Sequence, residues 1–133
     1  MSRPFGPQLG AEIQTADSFQ KSQELFNLHR AIKSTRDRVI VVEGFFDCVK
    51  IHQAGFPNVI ALMGSSLSDE QQKLLQSFEH AVLFLDGDEA GRGATKTIAE
   101  QLSREMYVRV VDLPNHGQPD QLSTEEIKTL LTL

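Results

Sequence analysis

Four β-branched residues in a row, Val39-Ile40-Val41-Val42, carry no polar residue on either side of the pleat. A strand with one wet face alternates apolar and polar residues. A continuous run of this kind suits a strand covered on both faces, as in a parallel sheet. The run stops at Glu43-Gly44. Three further segments read as strands: Val59-Ile60-Ala61-Leu62, closed by Gly64; Ala81-Val82-Leu83-Phe84-Leu85, ended by Asp86-Gly87-Asp88; and Tyr107-Val108-Arg109-Val110-Val111.

Helical patterns fill the intervals. Leu25, Leu28 and Ile32, with Phe26 beside them, fall at helical spacing in a segment predicted to run from Asp17 or Ser18 to near Lys33. A second helix is expected from Phe45 to Ala54, stopped by Gly55 and Pro57. Ser68-Asp69-Glu70-Gln71 has the form of a capping box and opens a helix with Leu74, Leu75 and Phe78 inward. Ala94, Ile98 and Leu102 share one face of the next. Ser123-Thr124-Glu125-Glu126 caps a short last helix bearing Ile127, Leu130 and Leu131. Strands alternating with helices predict an α/β fold: a parallel four-stranded sheet of order 2-1-3-4 joined by right-handed crossovers. Residues 1–16, rich in Pro, Gly and Gln, are expected to be a flexible lead-in, and residues 17–133 a single domain.

With 133 residues, 40% of them hydrophobic, the chain can build one core of ordinary size. No apolar run approaches the roughly 20 residues of a membrane helix, and the N-terminus lacks the apolar centre of a signal peptide. The single Cys48 makes no internal disulfide, and a reduced, cytoplasmic setting is the expectation. The net charge of −5 argues against a broad basic face for nucleic acid. It leaves room for contact through bound cations.

Two of the four predicted strands end in acid. In open α/β sheets ligands bind beyond the carboxyl ends of the strands, where the strand order reverses. In the order 2-1-3-4 the first and third strands are neighbours there, so Glu43 faces Asp86 and Asp88. Two residues apart on an extended segment, these aspartates lie on one side. Clustered carboxylates repel, and burial penalises their charge; a hard cation such as Mg²⁺ removes both costs. The competing reading makes Asp-Gly-Asp a turn with an N-cap for the next helix. Spacing alone leaves both open.

Other residues carry weaker signals. Gly91-Arg92-Gly93 lies at a predicted helix start, where phosphate is attracted and Arg92 could assist; a solvated arginine beside a turn is the alternative. His29, His52, His80 and His116 have no ligand spacing and read as surface or packing residues. Cys48 reads as core.

Val39-Ile40-Val41-Val42-Glu43-Gly44-Phe45-Phe46-Asp47 resembles the first motif of the Toprim family, a hydrophobic strand followed by Glu-Gly-x-x-Asp. Leu85-Asp86-Gly87-Asp88-Glu89-Ala90-Gly91-Arg92 resembles the second, and its Asp-Gly-Asp-x-Ala-Gly form is similar to bacterial DnaG-type primases. The likeness extends over about residues 20 to 122. It implies a Toprim, Rossmann-like fold and phosphodiester chemistry on nucleic acid with Mg²⁺ or Mn²⁺, most simply ribonucleotide primer synthesis on single-stranded DNA. Glu43, Asp86 and Asp88 are implied as catalytic metal ligands, with Asp120 as a further ligand. Lys21, Gly44, Asp47 and Arg92 are implied to meet nucleotide or phosphate.

The likeness is incomplete. Primases carry a further acidic element, close to Leu-Pro-x-Gly-x-Asp-Pro-Asp, which here reads Leu113-Pro114-Asn115-His116-Gly117-Gln118-Pro119-Asp120. Gln118 replaces the first aspartate, which favours one well-formed ion site over several. The zinc module, the basic N-terminal subdomain and the helicase-binding tail of primases have no counterpart in this sequence. Partners implied are therefore single-stranded DNA and nucleoside triphosphates, together with a primase or helicase partner protein, and no membrane. The alternatives are a Toprim-type Mg²⁺-dependent nuclease and a non-catalytic metal-binding domain. Topoisomerase action needs a nucleophilic tyrosine, and the only tyrosine, Tyr107, is expected to start a core strand.

Overall fold

A computed structural model describes residues 24–113 and 117–132. The elements are α1 (Leu28–Ser34), β1 (Arg38–Val42), α2 (Phe45–Gln53), β2 (Val59–Ala61), α3 (Asp69–Leu75), β3 (His80–Leu83), α4 (Glu89–Leu102), β4 (Tyr107–Val110), a 3₁₀ turn (Pro119–Gln121) and α5 (Thr124–Leu131). The four strands form one sheet of order β2-β1-β3-β4, every pairing parallel. The expected α/β architecture and strand order are those observed.

The β-branched run explains the layering. Val39 and Val41 point to one face of the sheet, where they meet Ala31, Leu75, Ala94, Ile98 and Leu102 from α1, α3 and α4. Ile40 and Val42 point to the other and meet Cys48, Ile51, Ile127 and Leu131 from α2 and α5. Both faces are covered, so no position along β1 beyond Arg38 needs a polar residue. The two capping boxes form as their sequences predict. The Ser68 hydroxyl accepts from Gln71 N at 3.1 Å and Ser68 N donates to Gln71 Oε1 at 3.0 Å. The Ser123–Glu126 pair does the same at 3.1 and 2.8 Å.

Two expectations need correction. The first helix does not include Leu25 and Phe26. Phe26 instead pairs antiparallel with Ala61, exchanging backbone hydrogen bonds of 3.0 and 3.1 Å. Asn27, with φ of 70°, then turns the chain into α1. This pairing meets the otherwise open edge of β2, a need that helical periodicity does not register. Tyr107 is not in the core either. It begins the edge strand β4, is 74% exposed, and lies with its ring stacked 5.1 Å from that of His80. The lead-in 1–16, the helix start at Asp17 or Ser18, Lys21 and His116 lie outside the described residues. No described helix is long and apolar enough to cross a membrane.

Candidate metal centre and nucleotide cleft

The strand order reverses between β1 and β3. Beyond their carboxyl ends opens a cleft of about 380 Å³ bordered by Glu43, Asp47, Asp86, Gln118 and Asp120, with Phe45, Phe46 and Met63 on its walls. Glu43 follows β1 directly. Asp86 follows the Phe84-Leu85 extension of β3, held in place by Phe84 N donating to Val41 O at 2.8 Å.

These two carboxylates are half-buried. Each keeps one buried oxygen, Oε1 of Glu43 and Oδ1 of Asp86, with no hydrogen-bond partner. Burial raises the Glu43 pKa, the charges of Asp86, Asp88 and Asp47 raise it further, and a hydrogen bond from the Asp86 backbone to the carboxylate offsets part of the rise. Burial likewise lifts Asp86, with Asp88 and Asp120 adding to the effect. Among the described residues no lysine or arginine pairs with any of these acids. A buried carboxylate oxygen left unpaired costs about 1–3 kcal/mol or more. Hard oxygen donors with no cationic side chain to meet them fit a hard divalent cation.

Close packing fixes this arrangement. A Cβ on Gly91 would lie 2.1 Å from Asp86 O, so the first turn of α4 rests directly on the aspartate's backbone. A Cβ on Gly87 would meet Leu113 O at 2.8 Å. The glycines of Asp-Gly-Asp-x-Ala-Gly thus serve close approach.

Asp88 is the N-cap of α4: its Oδ1 accepts from Gly91 N at 2.7 Å. The cap reading of Asp-Gly-Asp therefore holds for Asp88, which is exposed and is not among the residues bordering the cleft.

Asp47 takes a part its motif does not announce. Its side chain is buried and accepts from Gly44 N at 3.3 Å through one oxygen and from Asp120 N at 3.1 Å through the other. It ties the N-terminus of α2 to the 3₁₀ turn and so brings Asp120 to the cleft. Burial, with the nearby Asp86 and Asp120 charges, pushes its pKa up to about 6 despite those two bonds. Arg92 points to neither the Glu43 nor the Asp86 oxygens. Its Nε donates to Gly87 O at 2.8 Å, one terminal nitrogen to Asp112 at 3.0 Å and the other to Leu113 O at 3.2 Å. The guanidinium clamps α4 to the segment after β4, and any part in holding phosphate is additional to that task.

Sequence reasoning missed Phe46 and Met63. Met63 adopts φ of 62°, rare for a side chain of its size, and donates its N–H to Glu43 O at 2.7 Å. Nothing in Leu62-Met63-Gly64 signals this. Phe46 did leave a trace: it is apolar yet out of phase with the buried Cys48 and Ile51 of its own helix.

Residues 40–123, well over half of the chain, match the family described as Toprim-like. The chain belongs to the Toprim-like family. This Toprim-like chain is 41% identical over 107 residues to a DNA primase of Staphylococcus aureus (strain COL), an alignment covering 77% of the chain and 18% of that primase. Its fold superposes on the Aquifex aeolicus primase (zinc-binding and RNA polymerase domains) with a TM-score of 0.77 at 33% identity, over 86% of this chain and 30% of that one. It also superposes on a DnaG primase catalytic domain solved bound to single-stranded DNA, with a TM-score of 0.72 at 28% identity, over 87% and 40% of the two chains. The Toprim-like chain therefore spans under a fifth of the length of the staphylococcal primase it matches.

Proposed function

We propose that this chain is the metal-binding catalytic domain of a DNA primase, acting in ribonucleotide primer synthesis on single-stranded DNA. The observation that carries the reading is the pair of buried, unpartnered oxygens on Glu43 and Asp86 at the reversal of strand order, in a chain so similar to primases. Glu43 and Asp86 would hold Mg²⁺ or Mn²⁺, with the Asp88 and Asp120 carboxylates completing the set. A cation held by these residues would supply neutralisation of triphosphate charge and Lewis-acid polarisation of phosphate oxygens. The chain's own residues supply orientation. Asp47 holds the Asp120 turn against the cleft, Gly91 seats α4 on Asp86, and Arg92 fixes the segment after β4.

Single-stranded DNA and nucleoside triphosphates are the proposed substrates, handled in the cytoplasm. The exposed surfaces of this acidic chain give little purchase on a template, so other domains or a primase or helicase partner protein supply that grip. The boundary at residue 17 is proposed as the start of the folded unit, and Lys21, Gly44 and Arg92 as its auxiliary contacts to nucleotide.

A graft tests the reading. The chain replaces the matching segment of the staphylococcal primase, and primer synthesis on single-stranded DNA is measured with Mg²⁺ and with Mn²⁺. Synthesis is expected from the graft and not from its Glu43→Gln form, with little or none from the chain alone. A folded graft that makes no primer, or a chain that degrades labelled DNA or RNA unless Asp86 is changed to Asn, would put the nuclease reading first.

A further inference from the structure

Phe46 stands 72% exposed in the first turn of α2, on the wall of the cleft that contains Glu43, Asp47 and Asp86. Single exposed apolar residues are ordinary on soluble proteins. Three observations set this one apart.

The fold does not call for it. The buried residues of α2 are Asp47, Cys48 and Ile51, and a polar side chain at position 46 would leave that core untouched. It is also braced. The Phe46 ring packs against Phe45 with centroids 5.3 Å apart at 77°, and Phe45 packs against Phe26 at 5.2 Å and 68°. Such pairs hold a ring in place while most of Phe46 stays uncovered. Finally, with Phe45 and Met63 it supplies the apolar wall of a cleft that also carries Glu43, Asp47, Asp86 and Asp120. A phosphate held here by a cation brings a sugar and a base with it, and the carboxylates attract neither.

We propose that Phe46 is a stacking platform for the nucleobase of a nucleotide whose phosphate is held at the acidic centre. This rests on the metal-centre reading above and adds to it the part of the substrate that metal does not hold. Aromatic stacking tolerates every base, because each has a flat π-face, which suits an enzyme that must accept all four. The base belongs either to a nucleoside triphosphate or to a nucleotide of the bound strand.

Binding to the full chain in Mn²⁺ tests the proposal, with three probes: ATP and CTP, a short single-stranded oligonucleotide, and inorganic tripolyphosphate. The proteins are the unmodified chain, Phe46→Ala and Phe46→Trp. Phe46→Ala is expected to weaken one base-bearing probe by about tenfold, within the roughly 5- to 150-fold range of a lost stack. Phe46→Trp should restore it, and tripolyphosphate should bind all three proteins alike. Which probe loses affinity, triphosphate or oligonucleotide, identifies the source of the base. Unchanged binding of both base-bearing probes to Phe46→Ala would overturn the proposal. So would an equal loss for tripolyphosphate, or a Phe46-dependent dimer seen by sedimentation. An unmodified chain that binds no tripolyphosphate in Mn²⁺ overturns the metal-centre reading and the platform with it. One that binds tripolyphosphate but behaves identically without the Phe46 ring overturns the platform alone.

Discussion

Strands β1 and β3 carry acid at both ends, and the two ends are built differently. At the N-terminal end, Asp37, Glu79 and His80 bring ligating atoms within 4.8 Å of one another, the only group of three among the described residues to do so. Asp37 and Glu79 are exposed, and His80 Nδ1 lies 3.6 Å from the Asp37 carboxylate and 3.3 Å from its backbone oxygen. Water and an internal partner satisfy these groups. At the C-terminal end no third ligand among the described residues joins Glu43 and Asp86 at that spacing, yet each keeps a buried oxygen with nothing to bond, among like charges. Spacing of ligand atoms and burial of unpartnered oxygens thus point to different ends of the sheet. An exposed cluster is stable without a cation, whereas buried, unpartnered carboxylates are poised for one.

The largest expected effect tests how tightly the C-terminal end is built. Gly91→Ala places a methyl group where backbone already stands, so helix α4 or Asp86 must shift. A loss of about 1–3 kcal/mol or more is expected by chemical denaturation, together with weaker metal binding. Gly93, with nothing within 4 Å of its Cβ position, is the control: Gly93→Ala should not destabilise.

The ends should also differ in their response to pH. Glu43, Asp86 and Asp47 are raised, the last to about 6. Between about pH 4, where unfolded carboxylates release their protons, and about pH 6, the folded chain binds more protons than the unfolded one. The contribution of these groups to stability is therefore present at low pH and lost as pH rises through that window. Without metal, the melting temperature of the unmodified chain, taken relative to that of Asp47→Asn, should fall from pH 4 to 6.5; saturating Mn²⁺ should flatten the fall. A relative rise over the same range would contradict the buried-acid account. The smallest effect belongs to the other end. Asp37→Asn and Glu79→Gln should each change stability by no more than about 0.5 kcal/mol and leave metal stabilisation intact.

Much of this contrast could be read from residue order. The unbroken apolar runs gave both-face burial, hence a parallel sheet, and the acid at two run ends marked the reversal point. The capping boxes at Ser68 and Ser123 declared themselves because their chemistry is local. What escaped depends on residues distant in sequence. Phe26 joins the β2 edge 35 positions later at Ala61, and Asp47 anchors Asp120 through a bond spanning 73 positions. The Asp47 motif position suggested contact with nucleotide, while its geometry is that of a tie between elements. Asp88 proved to be the cap of α4, a role the sequence had left open beside that of ligand. Arg92, at a helix start, read as a candidate partner for phosphate; its guanidinium is held by the Gly87 and Leu113 carbonyls and the Asp112 carboxylate, contacts that spacing does not announce.

The central claim is that the buried oxygens of Glu43 and Asp86 await a divalent cation. Thermal unfolding at neutral pH, with and without Mn²⁺, measures this directly on the unmodified chain, Glu43→Gln, Asp86→Asn and Asp37→Asn. The unmodified chain and Asp37→Asn should both be stabilised by Mn²⁺. Glu43→Gln and Asp86→Asn should melt no lower than the unmodified chain without metal, since each removes a raised, unpaired charge, and should gain little when Mn²⁺ is added. An unmodified chain whose melting temperature stays constant across the titration, or a Glu43→Gln chain stabilised as much as the unmodified one, would contradict the account.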